Sequence, residues 1–337
     1  MALTGAGSPQ DGGRRPVVID TDPGVDDTWA ILALAGRPNV ELVAIGAAHG
    51  NVPAATSAEN ALRVLDAAGL HQVPVAVGHP TPLQQALHTA EFVHGDDGLG
   101  GHAGPPSRRR PADESAAEQL VRLARQRPGE LSLLALAPLT NIALALRLEP
   151  MLPQLVKQVH YMGGAFRSPR GNITPWADAN TWHDPEAAEE VLRAGFDLTM
   201  VPMDVTEHAF VDEGWLEEIA SHRTPATDFA TSIMGNYCEL YASMNGSYGC
   251  VMHDPLAAAI MCQPSLARYE THPAVVELAG RSRGAVLLDQ RSEALRNLNG
   301  ISDNRRPVKI AFAVDAGKSK EWIREGLLNL DPDVGIQ

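Results

Sequence analysis

Short apolar runs alternate with amphipathic stretches along almost the whole chain. Val17–Asp20 reads as a strand and Asp26–Ala35 as a helix closed by Gly36. Val40–Gly46 predicts a second strand. Thr56–Ala68 predicts a helix that stops at Gly69, a residue type suited to the left-handed turn after a helix. Val73–Val77, Leu131–Leu136, Val159–Met162 and Leu198–Val201 read as further strands. Between them fall helices at Glu114–Arg127, with Asp113 as its cap, at Thr140–Leu148 and at Pro185–Ala194. In the last, Asp184 is placed to cap, Pro185 takes the first helical position and Gly195 follows the end. Residues 212–262 read as mainly helical, and Val275–Leu278, Ala285–Leu288 and Val308–Val314 as late strands.

Such alternation predicts an α/β fold: one Rossmann-like domain with a mostly parallel central sheet flanked by helices. The strand runs are too continuous in Val, Leu and Ile for half-exposed strands, as buried parallel strands require. No internal repeat or linker interrupts the pattern, and PPSRRRP at 105–111 reads as a solvated surface loop. Residues 1–14 read as a disordered tail ahead of a domain over 15–337.

Composition narrows the function classes. The chain has 337 residues, 44% hydrophobic and 20% charged, which excludes global disorder. Lys plus Arg is 27 and Asp plus Glu 41, a formal charge of −14 that argues against nucleic-acid and anionic-membrane partners. The longest apolar run, near Leu131–Leu139, is too short to span a bilayer. The N-terminus lacks the hydrophobic region of a secretory signal. Three widely spaced cysteines, Cys238, Cys250 and Cys262, fit neither a disulfide framework nor a zinc site, so a cytoplasmic location is expected.

The chemistry gathers just after strands, where open α/β sheets bind ligands. VVIDTDPGVDDTWAI places Asp20, Asp22, Asp26 and Asp27 within eight residues around a Pro23-Gly24 turn. Carboxylates about 5 Å apart repel by roughly 3 kcal/mol per pair at an effective dielectric of about 20. Either some carry protons or a cation sits among them. A plainer alternative lets Asp26 and Asp27 complement the helix dipole. A phosphatase of the haloacid dehalogenase type would use Asp20-Thr21-Asp22, but it wants an Asp where Gly100 stands, four residues after Asp96.

DTDPGVDDTWAI closely resembles the opening signature of the inosine–uridine nucleoside hydrolase family. HGN at 49–51, HGDDGLGG at 94–101, PLTNIA at 138–143, MGGAF at 162–166, GN at 171–172, DPEAA at 184–188 and HDP at 253–255 follow in the family's order. The resemblance implies hydrolysis of the N-glycosidic bond of ribonucleosides to nucleobase and ribose, a step in purine and pyrimidine salvage. It implies a Ca²⁺ ion held by Asp22, Asp27, Asp254 and the main-chain carbonyl of Leu136, an all-oxygen set that suits calcium. It also implies a homodimer or homotetramer. Asp22 would activate the ion-bound water as general base, and His253 would protonate or orient the leaving base. Asp26 would accept a hydrogen bond from the ribose 2′-hydroxyl. Asn51 would contact ribose or the water, and Asn172, Asp178 and Asn180 would grip the sugar. His94, Tyr237 and Tyr241 are candidates for the same pocket.

Each assignment has a structural alternative. Asp254 would simply cap a helix, Asn51 and His94 would belong to glycine-rich turns, and Tyr237 and Tyr241, on one helix face, would only pack. Trp176 and Trp182 read as core or lid packing. Asp178 and Ala179 depart from the family's usual Glu and aromatic residue, which leaves room for a catalytically weak member that binds nucleosides or a partner.

Overall fold

A computed structural model describes residues 13–167, 171–298 and 305–330. Most of the expected tail, residues 1–12, lies outside these. The strands, in chain order, are β1 (Arg15–Thr21), β2 (Val40–Ala47), β3 (Val75–Val77), β4 (Ser132–Ala135), β5 (Gln158–Met162), β6 (Leu198–Val201), β7 (Phe210–Asp212), β8 (Gly249–Val251), β9 (Ala267–His272), β10 (Ala274–Val276), β11 (Val286–Leu288) and β12 (Val308–Val314). Eight of them form the central sheet in the order β3-β2-β1-β4-β5-β6-β12-β9. Every pairing in it is parallel except β12 with β9.

Successive residues of β1 face opposite sides of the sheet. Val17 and Ile19 join one core layer with the helices Val25–Ala35, Ala54–Ala67, His253–Cys262 and Ala316–Leu328. Val18 joins the other with Ala116–Gln126, Thr140–Leu148 and Pro185–Arg193. Three layers result, with both sheet faces covered. The layers pack closely enough that a Cβ on Gly36 would lie 1.8 Å from the Gly326 carbonyl oxygen, so the Val25–Ala35 and Ala316–Leu328 helices meet at two glycines.

Chain order reverses at β1: β2 and β3 build outward on one side, and β4 returns on the other. This switch point opens a crevice at the carboxyl ends of β1 and β4. Asp22 follows β1 there and Leu136 follows β4.

Several sequence expectations need correction. Asp113 does not cap the following helix. Ser115 does: its hydroxyl accepts the Glu118 amide at 3.3 Å while Glu118 reaches back to the Ser115 amide at 2.9 Å. This Ser-x-x-Glu box satisfies two amides at once, which outweighs a lone Asp two residues earlier. The strands near 275 and 285 leave the central sheet and form a separate antiparallel pair, β10 with β11. The stretch 212–262 is mainly helical as expected, with Glu213–Ala220, Pro225–Ser232, Gly235–Asn245 and His253–Cys262, and only the short β8, paired with β7, falls between them.

Candidate active site

The crevice floor is built from the β1 exit. Asp22, Asp26, Asp27 and Asp254 are all buried. Asp27 is held on three sides, by the Thr21 hydroxyl, by the Gly24 amide at 3.0 Å and by Asn51 Nδ2 at 3.0 Å. Asp22 accepts the Asn51 amide on Oδ2 at 2.6 Å, while its Oδ1 is buried without a hydrogen-bond partner. Gly50 makes this approach possible: at φ +153° it lies so close that a Cβ would sit 1.9 Å from Asp22 Oδ2. Asp254 belongs to the first turn of the helix His253–Cys262, whose N-cap is Met252, so its carboxylate is not used as a cap.

Oxygens of Asp26, Asp27 and Asp254 lie within 4.8 Å of one another. Asp22 stands outside this trio, yet its charge raises Asp254. Burial and mutual repulsion dominate the electrostatics. Burial, then the Asp27 charge, pushes Asp26 up to about 8 and lifts Asp22 well above the usual carboxylate range. Burial, then the charges of Asp26, Asp27 and Asp22, does the same to Asp254. Burial also raises Asp27. Clustered hard oxygen donors, with the orphaned buried oxygen of Asp22 beside them, fit a divalent cation.

Above the floor opens a cleft. One wall carries aromatic and imidazole groups. His94 accepts the Val25 amide on Nδ1 at 3.1 Å, which fixes the neutral ring with its proton on Nε2. Burial, then the proximity of His253, lowers its pKa to about 3. Its ring stacks on Tyr237 at 5.3 Å. Tyr237 and Tyr241 share one face of the helix Gly235–Asn245, and their rings meet edge to face at 5.2 Å. The Tyr241 hydroxyl meets His253 Nε2 at 3.0 Å, and His253 Nδ1 meets the Thr206 hydroxyl at 2.7 Å. Burial lowers His253 to about 4, so the ring is neutral at physiological pH.

The opposite wall is the 171–180 loop. Asp178 caps the helix Ala179–His183: Oδ1 accepts the Thr181 amide at 2.9 Å and Oδ2 the Gly164 amide at 2.7 Å. Asn172 Oδ1 accepts the Ala179 amide at 2.9 Å. Asn180 Nδ2 donates to the carbonyls of Leu136 at 2.9 Å and Met162 at 3.0 Å, tying the ends of β4 and β5 together.

This constellation matches known proteins along most of the chain. The model of the family described as inosine-uridine preferring nucleoside hydrolase matches residues 17–321. The chain belongs to this family. It is 36% identical to probable uridine nucleosidase 2 of Arabidopsis thaliana, over 94% of this chain and 98% of that protein. It is 35% identical to the inosine-uridine preferring nucleoside hydrolase of Leishmania major, over 84% and 90%. The solved plant nucleoside hydrolase PpNRh1 superposes with a TM-score of 0.88 at 32% identity, covering 93% of this chain and 98% of that one. Nucleoside hydrolases cleave N-glycosyl bonds of ribonucleosides and are metal-dependent.

In this nucleoside hydrolase, Asp26, Asn51, His94, Leu136, Asn172, Asp178, Asn180, Tyr237, Tyr241, His253 and Asp254 all line the one cleft, with Asp22 and Asp27 buried beside them. Sequence reasoning missed Thr206, a hydroxyl just past β6 that orients His253, and Phe92, 70% exposed at the cleft rim. Position after a strand was the available signal for Thr206. Among the described residues no helix is long and apolar enough to cross a membrane.

Away from the cleft floor, burial lowers His160 to about 3, reinforced by the charges of Arg15 and Lys309, and its Nδ1 is buried without a partner. Its imidazole takes up a proton near pH 6.5 only in the unfolded chain. Stability is therefore full above pH 6.5 and falls as the pH drops toward the folded value. The wild type should lose about 1–2 kcal/mol more than His160→Gln between pH 7.5 and pH 5 in urea melts with excess calcium. Equal acid losses contradict this.

Proposed function

We propose that this chain catalyses calcium-dependent hydrolysis of ribonucleosides, releasing nucleobase and ribose by direct attack of water. The reading rests on one juxtaposition: an acidic floor with an unpartnered Asp22 oxygen faces a wall of tyrosines and imidazoles, Tyr241 hydrogen-bonded to His253, across one cleft. Asp22, Asp27, Asp254 and the Leu136 carbonyl would hold the ion, and their oxygen donors of flexible geometry favour Ca²⁺ over Mg²⁺. When bound, calcium supplies a template for the ribose diol and makes water more acidic.

Asp22 takes the proton of the attacking water as its oxygen bonds to C1′. Asp26 accepts from the 2′-hydroxyl. Both carboxylates face the positive charge that develops on the sugar as the C1′–N bond breaks. The bond's electron pair leaves with the base, and a proton reaches the base from the Tyr241–His253 pair. Because burial holds His253 neutral, it acts as a hydrogen-bonded partner that relays a proton, not as a stored cation. Asn51 donates to both Asp22 and Asp27, so it positions the acids.

Release assays across inosine, guanosine, adenosine, uridine and cytidine, with and without a chelator, test the reading. Binding without turnover would favour a nucleoside-binding or partner-binding protein instead. For His253→Ala, the expected loss is about 10²-fold with inosine or uridine and under tenfold with a p-nitrophenyl riboside, whose leaving group needs no proton. Equal losses across leaving groups argue against proton delivery through His253.

A further inference from the structure

Behind the acids, a chain of side-chain hydrogen bonds runs from the turn that holds them to the helix Pro185–Arg193. His49 is fully buried, two residues past β2 and just before Gly50. Its Nε2 lies 3.0 Å from the Thr140 hydroxyl, which donates to Asp184 Oδ2 at 2.6 Å. Asp184 also accepts the Leu83 amide at 2.9 Å and, as N-cap of the helix Pro185–Arg193, the Ala187 amide at 3.1 Å. Because the Thr140 proton is committed to Asp184, the hydroxyl oxygen accepts from His49, and the imidazole carries its proton on Nε2. Nδ1 is then a bare acceptor, and it is buried without a hydrogen-bond partner. Burial, then the charges of His183 and His79, lowers His49 to about 4, which keeps the ring neutral.

A buried acceptor left unpaired costs stability, and an apolar side chain of similar volume avoids that cost. Packing alone therefore does not account for His49. Its one hydrogen bond holds the start of the turn that lies against the acids. Gly50 follows so close to Asp22 that a Cβ would sit 1.9 Å from Oδ2, and Asn51 gives its amide to Asp22 at 2.6 Å and its side chain to Asp27 at 3.0 Å. We propose that His49 is a positioning residue: anchored through Thr140 to Asp184, it fixes the Gly50–Asn51 turn and thereby sets the affinity of the acidic floor for its cation. The inference rests on the metal-dependent function proposed above. Asp22 and Asp27 repel each other, which raises Asp22. A turn held from behind keeps both carboxylates in the arrangement a cation needs. Groups that orient metal ligands in this way change metal affinity by about 10–100-fold when removed.

The test measures calcium dissociation constants by calorimetry, and metal-free melting temperatures, for the wild type, His49→Leu, His49→Asn and His49→Gln. Leucine cannot donate to Thr140 and asparagine is too short to reach it, whereas the glutamine amide can stand in for Nε2. Calcium binding should weaken by about tenfold or more in the leucine and asparagine variants and stay within about threefold of the wild type in the glutamine variant. The metal-free melting temperature of His49→Leu should hold or rise, because the unpaired nitrogen is gone. A merely structural histidine gives the reverse pattern, a lower melting temperature with calcium affinity unchanged. Unchanged affinity in His49→Leu, or in His49→Asn should the leucine variant not fold, overturns the proposal, and so does a glutamine variant that binds as weakly as the others. Those results leave the hydrolase reading standing. A wild-type protein that binds no calcium overturns the metal reading and this proposal together.

Discussion

Asp22→Asn lowers kcat for ribonucleosides by about 10³-fold or more and leaves the protein folded. The substitution keeps the shape of the side chain and an oxygen to accept the Asn51 amide, now made at 2.6 Å. It removes the basic oxygen that would take the proton of water, a contribution worth about 10²–10⁴-fold, and it weakens one ligand of the ion. Folding should not suffer. Asp22 is raised by burial and by the Asp27 charge, so it destabilises the ionised, metal-free cluster. Relieving one such contact is worth roughly 3 kcal/mol at 5 Å and a dielectric of about 20. The metal-free melting temperature should therefore hold steady or rise. Activity within tenfold of the parent removes Asp22 as the base.

The fold was legible where burial writes itself into sequence. The parallel strands β1, β2, β4, β5 and β6 lie between two helical layers, so their central runs are largely apolar. Strand β9 was not legible. Its sequence ARYETH alternates half-buried with exposed positions at the sheet edge, and it is held by backbone pairing to β12. No apolar run announces such a strand. The gathering of candidate site residues was legible because the rule about strand ends needs only strand positions. What each polar side chain faces was not. Asn51, Asn172, Asp178 and Asn180 line the cleft as the strand-end rule suggests, and each also makes a hydrogen bond to the protein itself that no spacing announced. Spacing places a side chain near a cleft, but competition from backbone amides and carbonyls decides where its donors and acceptors point.

Removing divalent ions should abolish turnover, by about 10³-fold or more, and calcium should restore it better than magnesium. Buried Asp22, Asp27 and Asp254 are all raised, so protons compete with the cation for these oxygens. Binding the ion releases protons, and apparent calcium affinity must therefore be higher at pH 8 than at pH 6. An ion that binds only the folded chain also stabilises it, by about 2.7 kcal/mol at one hundred times its dissociation constant. That corresponds to a rise of about 4 °C in melting temperature for a protein of this size. Magnesium should do less, because it demands near-octahedral geometry and gives up its water reluctantly. Turnover that survives exhaustive chelation contradicts the metal's part in the reaction.

The most direct measurement is a crystal structure of the protein grown with millimolar calcium and ribose. The account predicts density for one ion among Asp22, Asp27, Asp254 and the Leu136 carbonyl, with both sugar diol oxygens on it. An acidic cluster without an ion under those conditions, or ribose bound with its diol turned away from these carboxylates, contradicts it.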